Sequence, residues 1–85
     1  MTITLRFFAS VRETLGASGE SLELPAGVLT VGALREHLAQ RGGAWAQAMS
    51  QQRPLRMAHN QVMCNADQAI APGAEVAFFP PVTGG

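Results

Sequence analysis

The sequence predicts an α+β domain, a mixed sheet of four to five strands with one main helix packed on one face. Segments that alternate apolar and polar residues occur near the N-terminus, through the second half and just before the last six residues. Only one stretch between them has apolar residues at long helical spacing. Proline- and glycine-rich turn signals separate the pieces.

Thr2 to Ala9 has period two, with Ile3, Leu5, Phe7 and Ala9 on one face and Thr2, Thr4, Arg6 and Phe8 on the other. Ser10 to Gly19 reads as a loop or frayed turn. Ser21 to Leu24 alternates again, with Leu22 and Leu24 inward, and Pro25-Ala26-Gly27 stops it, so the two segments read as a hairpin. Thr30 suits a helix N-cap, and Val31, Leu34 and Leu38 follow at i, i+3, i+7. Gly42-Gly43 is expected to end that helix. Ala44 to Met49 fits a short second helical turn with Trp45 and Met49 packing down. Leu55 to Ala58 and Val62 to Cys64 are short strands around His59-Asn60-Gln61, where Asn60 suits a tight turn. After the turn signal Ala71-Pro72-Gly73-Ala74, Glu75 to Phe79 forms the last strand. Val76 and Phe78 lie on one of its faces, Ala77 and Phe79 on the other. Strand, strand, helix, strand, strand, strand is the order of the β-grasp, or ubiquitin-like, architecture. Its first and last strands lie side by side and parallel. The domain is expected to span residues 1–79, with an extended tail over 80–85.

Composition narrows the function. Eighty-five residues make one domain with one core, and a 47% hydrophobic content fits a compact chain. No apolar run approaches the roughly 20 residues that cross a bilayer. The start, Met1-Thr2-Ile3-Thr4-Leu5-Arg6, lacks the pattern of a secretory signal, so the expectation is a cytoplasmic protein without a membrane partner. Six basic and six acidic residues give no net charge, which argues against nucleic acid as a partner. Cys64 is the only cysteine, which excludes an internal disulfide and a multi-cysteine zinc site. All six basic residues are arginine; a chain whose carboxyl end becomes an activated acyl group gains from lacking lysine amines, although codon bias explains the same fact.

The helix covers one sheet face, so the other is expected to be polar. The alternation nevertheless puts Phe8 and Phe79 on that face, in strands expected to be neighbours, and Met63, between inward-facing Val62 and Cys64, joins them. Single exposed apolar residues need no explanation. Two aromatics and a methionine on one small face point to a docking patch.

Pro80-Pro81-Val82-Thr83-Gly84-Gly85 follows the last strand. The prolines forbid ladder pairing and favour an extended, stiff exit. Gly84 and Gly85 lack side chains, so a partner's channel can close around them and reach the carboxylate. A free α-carboxylate, with a pKa of about 3.5, is ionised at neutral pH and a poor electrophile. An ATP-using partner must first convert it to an acyl-adenylate. Sulfide or a persulfide then displaces AMP and leaves a terminal thiocarboxylate, a soft nucleophile that attacks a substrate carbon in a partner's site.

The ending Glu75-Val76-Ala77-Phe78-Phe79-Pro80-Pro81-Val82-Thr83-Gly84-Gly85 resembles the C-terminal signature of the small subunits of molybdopterin synthase. Leu5 to Glu13, Thr30 to Arg35 and Asn60-Gln61 resemble the same family, so the likeness covers essentially the whole chain. It implies that Gly85 is adenylated by a ubiquitin-activating-like adenylyltransferase, receives sulfur from a sulfurtransferase or desulfurase and carries a thiocarboxylate. The tail would then enter the large synthase subunit and donate sulfur to cyclic pyranopterin monophosphate, forming the dithiolene of molybdopterin. Two carriers would join a large-subunit dimer as a heterotetramer. The resemblance also implies partner contacts at Phe8, Met63 and Phe79, and one at Arg12. The chain departs from the family at His59, where a small aliphatic residue is commoner, and in a less acidic loop from Asn65 to Ala74.

Other chemistry is weaker. His37 and His59 have no partner at metal-ligand spacing. Cys64 reads as a buried structural thiol rather than a nucleophile paired with His59. Glu13, Glu20 and Glu23 read as solvated charges. No phosphate-cradling glycine loop is present, so no cofactor is expected on this chain and ATP belongs to the activating partner. Three alternatives stand beside the molybdopterin reading: a sulfur carrier of the thiamine type, a ubiquitin-like modifier of lysines, and a plain interaction module.

Overall fold

The computed structural model describes residues 1–81. Strand β1 (Thr2–Phe7) alternates between exposed and buried positions, sending Ile3, Leu5 and Phe7 into the core. The strand ends two residues before the period-two pattern does, because Ala9 turns the chain at φ 51° into helix α1 (Ala9–Leu15). The segment expected to be a loop from Ser10 is therefore largely helix, and Ala9 is exposed rather than inward. Val11 and Leu15, one helical turn apart, pack this helix on the core. Gly16 closes it in the left-handed conformation, φ 71°, its N–H donating to the Arg12 carbonyl at 2.8 Å.

Strand β2 (Gly19–Glu23) pairs antiparallel with β1, Leu22 opposite Ile3. Helix α2 (Val31–Ala39) starts where the sequence places it: the Thr30 hydroxyl oxygen accepts the Ala33 N–H at 3.1 Å. Val31, Leu34 and Leu38 are buried along it. Gly42 and Gly43 do not end α2, which stops at Ala39. They form the turn into helix α3 (Gly43–Ala48), with φ 79° and 54°. Trp45 meets Phe7 edge-on at 5.5 Å between ring centroids, and Met49 is buried.

Strands β3 (Arg56–His59) and β4 (Val62–Cys64) form a hairpin turned by Asn60 and Gln61 at φ 50° and 68°, the left-handed pair that suits strand twist. The Asn60 N–H donates to the Glu75 carbonyl at 2.8 Å, and its Oδ1 accepts the Glu75 N–H at 2.9 Å. That fastens the hairpin to β5 (Glu75–Phe79). The sheet order is β2-β1-β5-β3-β4, with β5 parallel to β1 and antiparallel to β3. The last strand thus lies in the middle of a five-stranded mixed sheet, the β-grasp arrangement. The helix side of the sheet is filled by Ile3, Leu5, Phe7, Leu34, Leu38, Val76 and Phe78.

Candidate functional site

The sheet face opposite the helices is organised in rows. β1 and β5 run parallel with Phe7 opposite Phe78, so Phe8 and Phe79 fall side by side just beyond. Their rings meet nearly perpendicular, 81° between planes and 6.4 Å between centroids. The backbone holds Phe8 on both sides. Its N–H donates to the Phe78 carbonyl at 3.3 Å, and its carbonyl accepts the Val11 and Arg12 N–H groups at 3.2 and 3.4 Å. Phe8 remains 49% exposed.

Arg56 on β3 lies directly opposite Phe79, extending this row to Phe8, Phe79, Arg56. The next row is Arg6, Ala77, Ala58 and Met63, in register across four strands. Met63 is 53% exposed at its end. Phe8, Met63 and Phe79, singled out by alternation, therefore do share one face. Arg12 is exposed on α1, tied to Phe8 through its backbone N–H. Val62 departs from expectation: parity puts it on the helix side, but β4 is the edge strand and Val62 is 67% exposed.

Two glutamates read as solvated are engaged. Arg41 donates to both Glu20 carboxylate oxygens at 2.9 and 3.0 Å while lying 4.4 Å over the Trp45 ring. That hydrogen-bonded pairing raises the Arg41 pKa above its ordinary value. The Glu23 carboxylate accepts the Met1 amine at 2.6 Å and the Thr2 hydroxyl at 2.7 Å, which holds it below the usual carboxylate range. Glu13 is exposed.

β5 delivers the chain end beside the aromatic row, since its last residue, Phe79, touches Phe8. Pro80 and Pro81 follow, both half-buried. Val82, Thr83, Gly84 and Gly85, the residues assigned to tail chemistry, lie outside the described residues.

Cys64 faces the helix side opposite Met57, half-buried against the core, and burial pushes its thiol pKa up. His59 Nε2 accepts the Ala71 N–H at 3.1 Å, which gives that ring a structural task. Among the described residues no three His, Cys, Asp or Glu side chains gather as metal ligands, and no helix is long and apolar enough to cross a membrane.

Sequence reasoning overlooked Arg35 and Arg56. Arg35, 7% exposed on α2, donates through Nε to the Met49 carbonyl at 2.9 Å and through Nη2 to the carbonyls of Ser50 and of Arg53, the latter at 2.9 Å. It closes the C-terminal end of α3, and burial lowers its pKa. Arg56 was legible by counting back two from Ala58, which places it on the outer face.

Residues 5–85 match the ThiS family. The chain belongs to the ThiS family. Within reach of it by sequence are two curated proteins named molybdopterin synthase sulfur carrier subunit. The one from Escherichia coli (strain K12) is 45% identical over 83 residues, spanning 98% of this chain and 99% of the relative. The one from Haemophilus influenzae is 42% identical over 83 residues with the same coverage. Among solved structures, a putative molybdopterin converting factor subunit 1 from Pyrococcus furiosus superposes with a TM-score of 0.77 at 24% identity, covering 96% of this chain and 99% of that one. A chain of the complex of molybdopterin-converting factor subunits 1 and 2 from Helicobacter pylori gives 0.68 at 20% identity, with full coverage of both. These two structural likenesses establish that the ThiS-family chain shares their β-grasp fold.

Proposed function

We propose that this ThiS-family chain is the sulfur-carrier subunit of a molybdopterin synthase, working through Gly85 and performing no catalysis alone. The observation that carries the reading is the identity of 42–45%, over nearly the full length, to two sulfur carrier subunits of that synthase. The fold supports it. β5 is bonded on both sides, to β1 and β3, so a partner that grips the tail pulls against the middle of the sheet rather than a loose edge. The aromatic row beside the tail's exit gives that partner a surface to hold.

The reaction order follows from carboxylate chemistry. An adenylyltransferase of the ubiquitin-activating type transfers AMP from ATP to the Gly85 carboxylate, releasing pyrophosphate. The terminal sulfur of a persulfide on a sulfurtransferase or desulfurase displaces AMP to give an acyl disulfide. A thiol of the donor system then cleaves that S–S bond, forming a disulfide with the donor's sulfur and leaving the thiocarboxylate on Gly85. The large synthase subunit then receives the tail over the face carrying Phe8, Met63 and Phe79, with Arg12 at its margin. There the thiocarboxylate donates sulfur to cyclic pyranopterin monophosphate. The complex of subunits 1 and 2 in the H. pylori relative supports the large-subunit partner. Two carriers on a large-subunit dimer make a heterotetramer, located in the cytoplasm. The chain binds no cofactor of its own.

Intact-mass analysis after co-expression with the cognate adenylyltransferase and sulfur donor tests the reading. The expected product is the chain with one terminal oxygen replaced by sulfur. A mass showing the chain joined to lysines of other proteins instead would make it a modifier. A residue added after Gly85 is expected to abolish molybdenum-enzyme activity in a deficient strain while leaving the fold intact. Full complementation by that extended variant would overturn the terminal mechanism. Relief of a thiamine requirement in a thiamine-carrier-deficient strain, without restored molybdenum-enzyme activity, would move the carrier to another pathway.

A further inference from the structure

Of the charged side chains that the sheet strands place on the outer face, one forms no ion pair among the described residues, and it lies in the aromatic row. Glu23 holds the Met1 amine, and Arg6 lies 3.4 Å from Glu75. Elsewhere Arg41 is paired with Glu20 and Arg35 is spent on backbone carbonyls. Arg56 is exposed and forms no ion pair among the described residues. It sits opposite Phe79 on the neighbouring strand, which places the two side chains roughly 5 Å apart at their Cβ atoms on a common face.

We infer that Arg56 makes this face charge-selective: the large-subunit surface that covers it presents a carboxylate beside the apolar socket that takes Phe79. The inference rests on the reading of this face as the large-subunit contact. A wholly apolar partner surface broad enough to cover Phe79 also covers its cross-strand neighbour, and would strip water from a guanidinium without replacing the lost hydrogen bonds. A carboxylate placed there is gripped bidentately by the planar fork, and guanidinium gives up water more readily than an ammonium. The chain as a whole has no net charge, so attraction at long range must come from local charge of this kind. Arg12, exposed next to the same row and likewise without an ion pair among the described residues, adds a second cation of the same sign.

The test is the association rate of the purified chain with the large subunit, followed by stopped flow from low to high salt, with the fold of each variant checked by circular dichroism. For the wild type the rate is expected to fall as salt rises. Arg56→Glu is expected to lower the low-salt rate about tenfold. Arg56→Leu, which keeps bulk and removes charge, is expected to flatten the salt dependence. An Arg56→Leu protein with the wild-type slope would overturn the inference, as would a slope lost against the adenylyltransferase but kept against the large subunit. Phe79→Asp separates the two levels. If it abolishes binding while Arg56 variants match the wild type, only charge selectivity falls; if it also binds as the wild type does, the docking face falls with it.

Discussion

Phe7 is 1% exposed and Phe8 49%, although one peptide bond separates them. The same split recurs between Phe78, fully buried, and half-buried Phe79, and in β4 between half-buried Cys64 and exposed Met63. On the helix side Phe7 and Phe78 stack at 6.4 Å with 21° between ring planes. On the outer face Phe8 and Phe79 meet at the same 6.4 Å, but at 81°. Two aromatic pairs of equal spacing thus have opposite surroundings. Trp45 packs edge-on against Phe7, and the apolar side chains of α2 complete the same core. The outer pair has Arg56 in its row and Arg6, Ala77, Ala58 and Met63 in the next. The contact between rings does not decide the role; what covers them does. An inner pair stabilises the chain that holds it, whereas an outer pair retains most of its burial energy for a partner.

The largest expected effect breaks the inner pair. Phe78→Ala removes a fully buried ring between β1 and β3 and is expected to destabilise the domain by about 3–5 kcal/mol, measured by urea unfolding. A domain of this size has about 5–15 kcal/mol in total, so a large share of its margin goes. Phe79→Asp, one residue on, is expected to leave unfolding within about 1 kcal/mol of wild type. Calorimetry should show large-subunit binding weakened by about 2–4 kcal/mol, roughly 30- to 1,000-fold in Kd. If Phe79→Asp unfolds the chain as Phe78→Ala does, the two faces are not functionally distinct. If its affinity is unchanged, the outer row is not an interface.

Alternation made this division readable from the sequence, because period two assigns Phe8 and Phe79 to a face without any knowledge of what covers it. The element order gave the β-grasp arrangement for the same reason: each strand and α2 carries its own local pattern. What escaped was non-local. Helix α1 has no polar N-cap, since Phe8 fills that position, and its short pattern of Val11 and Leu15 is weaker than the loop-like Ser10 before it. Val62 follows parity, yet parity does not reveal that its strand lies at the sheet edge. The Glu20–Arg41 pair joins residues 21 apart in sequence, and no local pattern announces it. Arg35 sits on the apolar stripe of α2 four residues after Val31, where a charged residue reads as a flanking position.

Arg35 offers a smaller test of the helix side. Its guanidinium satisfies the carbonyls of Met49, Ser50 and Arg53 at the end of α3, the helix that carries Trp45 onto Phe7. Arg35→Met keeps the length and apolar stem but leaves those carbonyls to water. The expected loss is about 1–3 kcal/mol of stability, seen as a lower melting temperature, with large-subunit affinity retained. A matched loss of affinity in the folded variant would mean that α3 and the outer face are coupled through Phe7 and Phe8, and the two faces would no longer be separable.

The smallest effect concerns the third pair, Met63 and Cys64. Burial against the core raises the Cys64 thiol pKa, so the folded chain favours the protonated thiol. The thiol's contribution to stability is fully present below the unfolded pKa, about 8.5, and is lost as pH rises through the higher folded value. Alkylation by iodoacetamide proceeds through the thiolate, so the folded chain should react more slowly than the urea-unfolded chain, with its rate-against-pH midpoint displaced upward. Cys64→Ala should remove that alkaline loss of stability while leaving the neutral-pH fold in place. Met63, on the exposed side of the same strand, should oxidise under mild peroxide at the rate of a solvent-accessible thioether. Equal alkylation rates for folded and unfolded Cys64 would show that β4 is open on both faces, and the division of the sheet into a sealed side and a docking side would stop at β3.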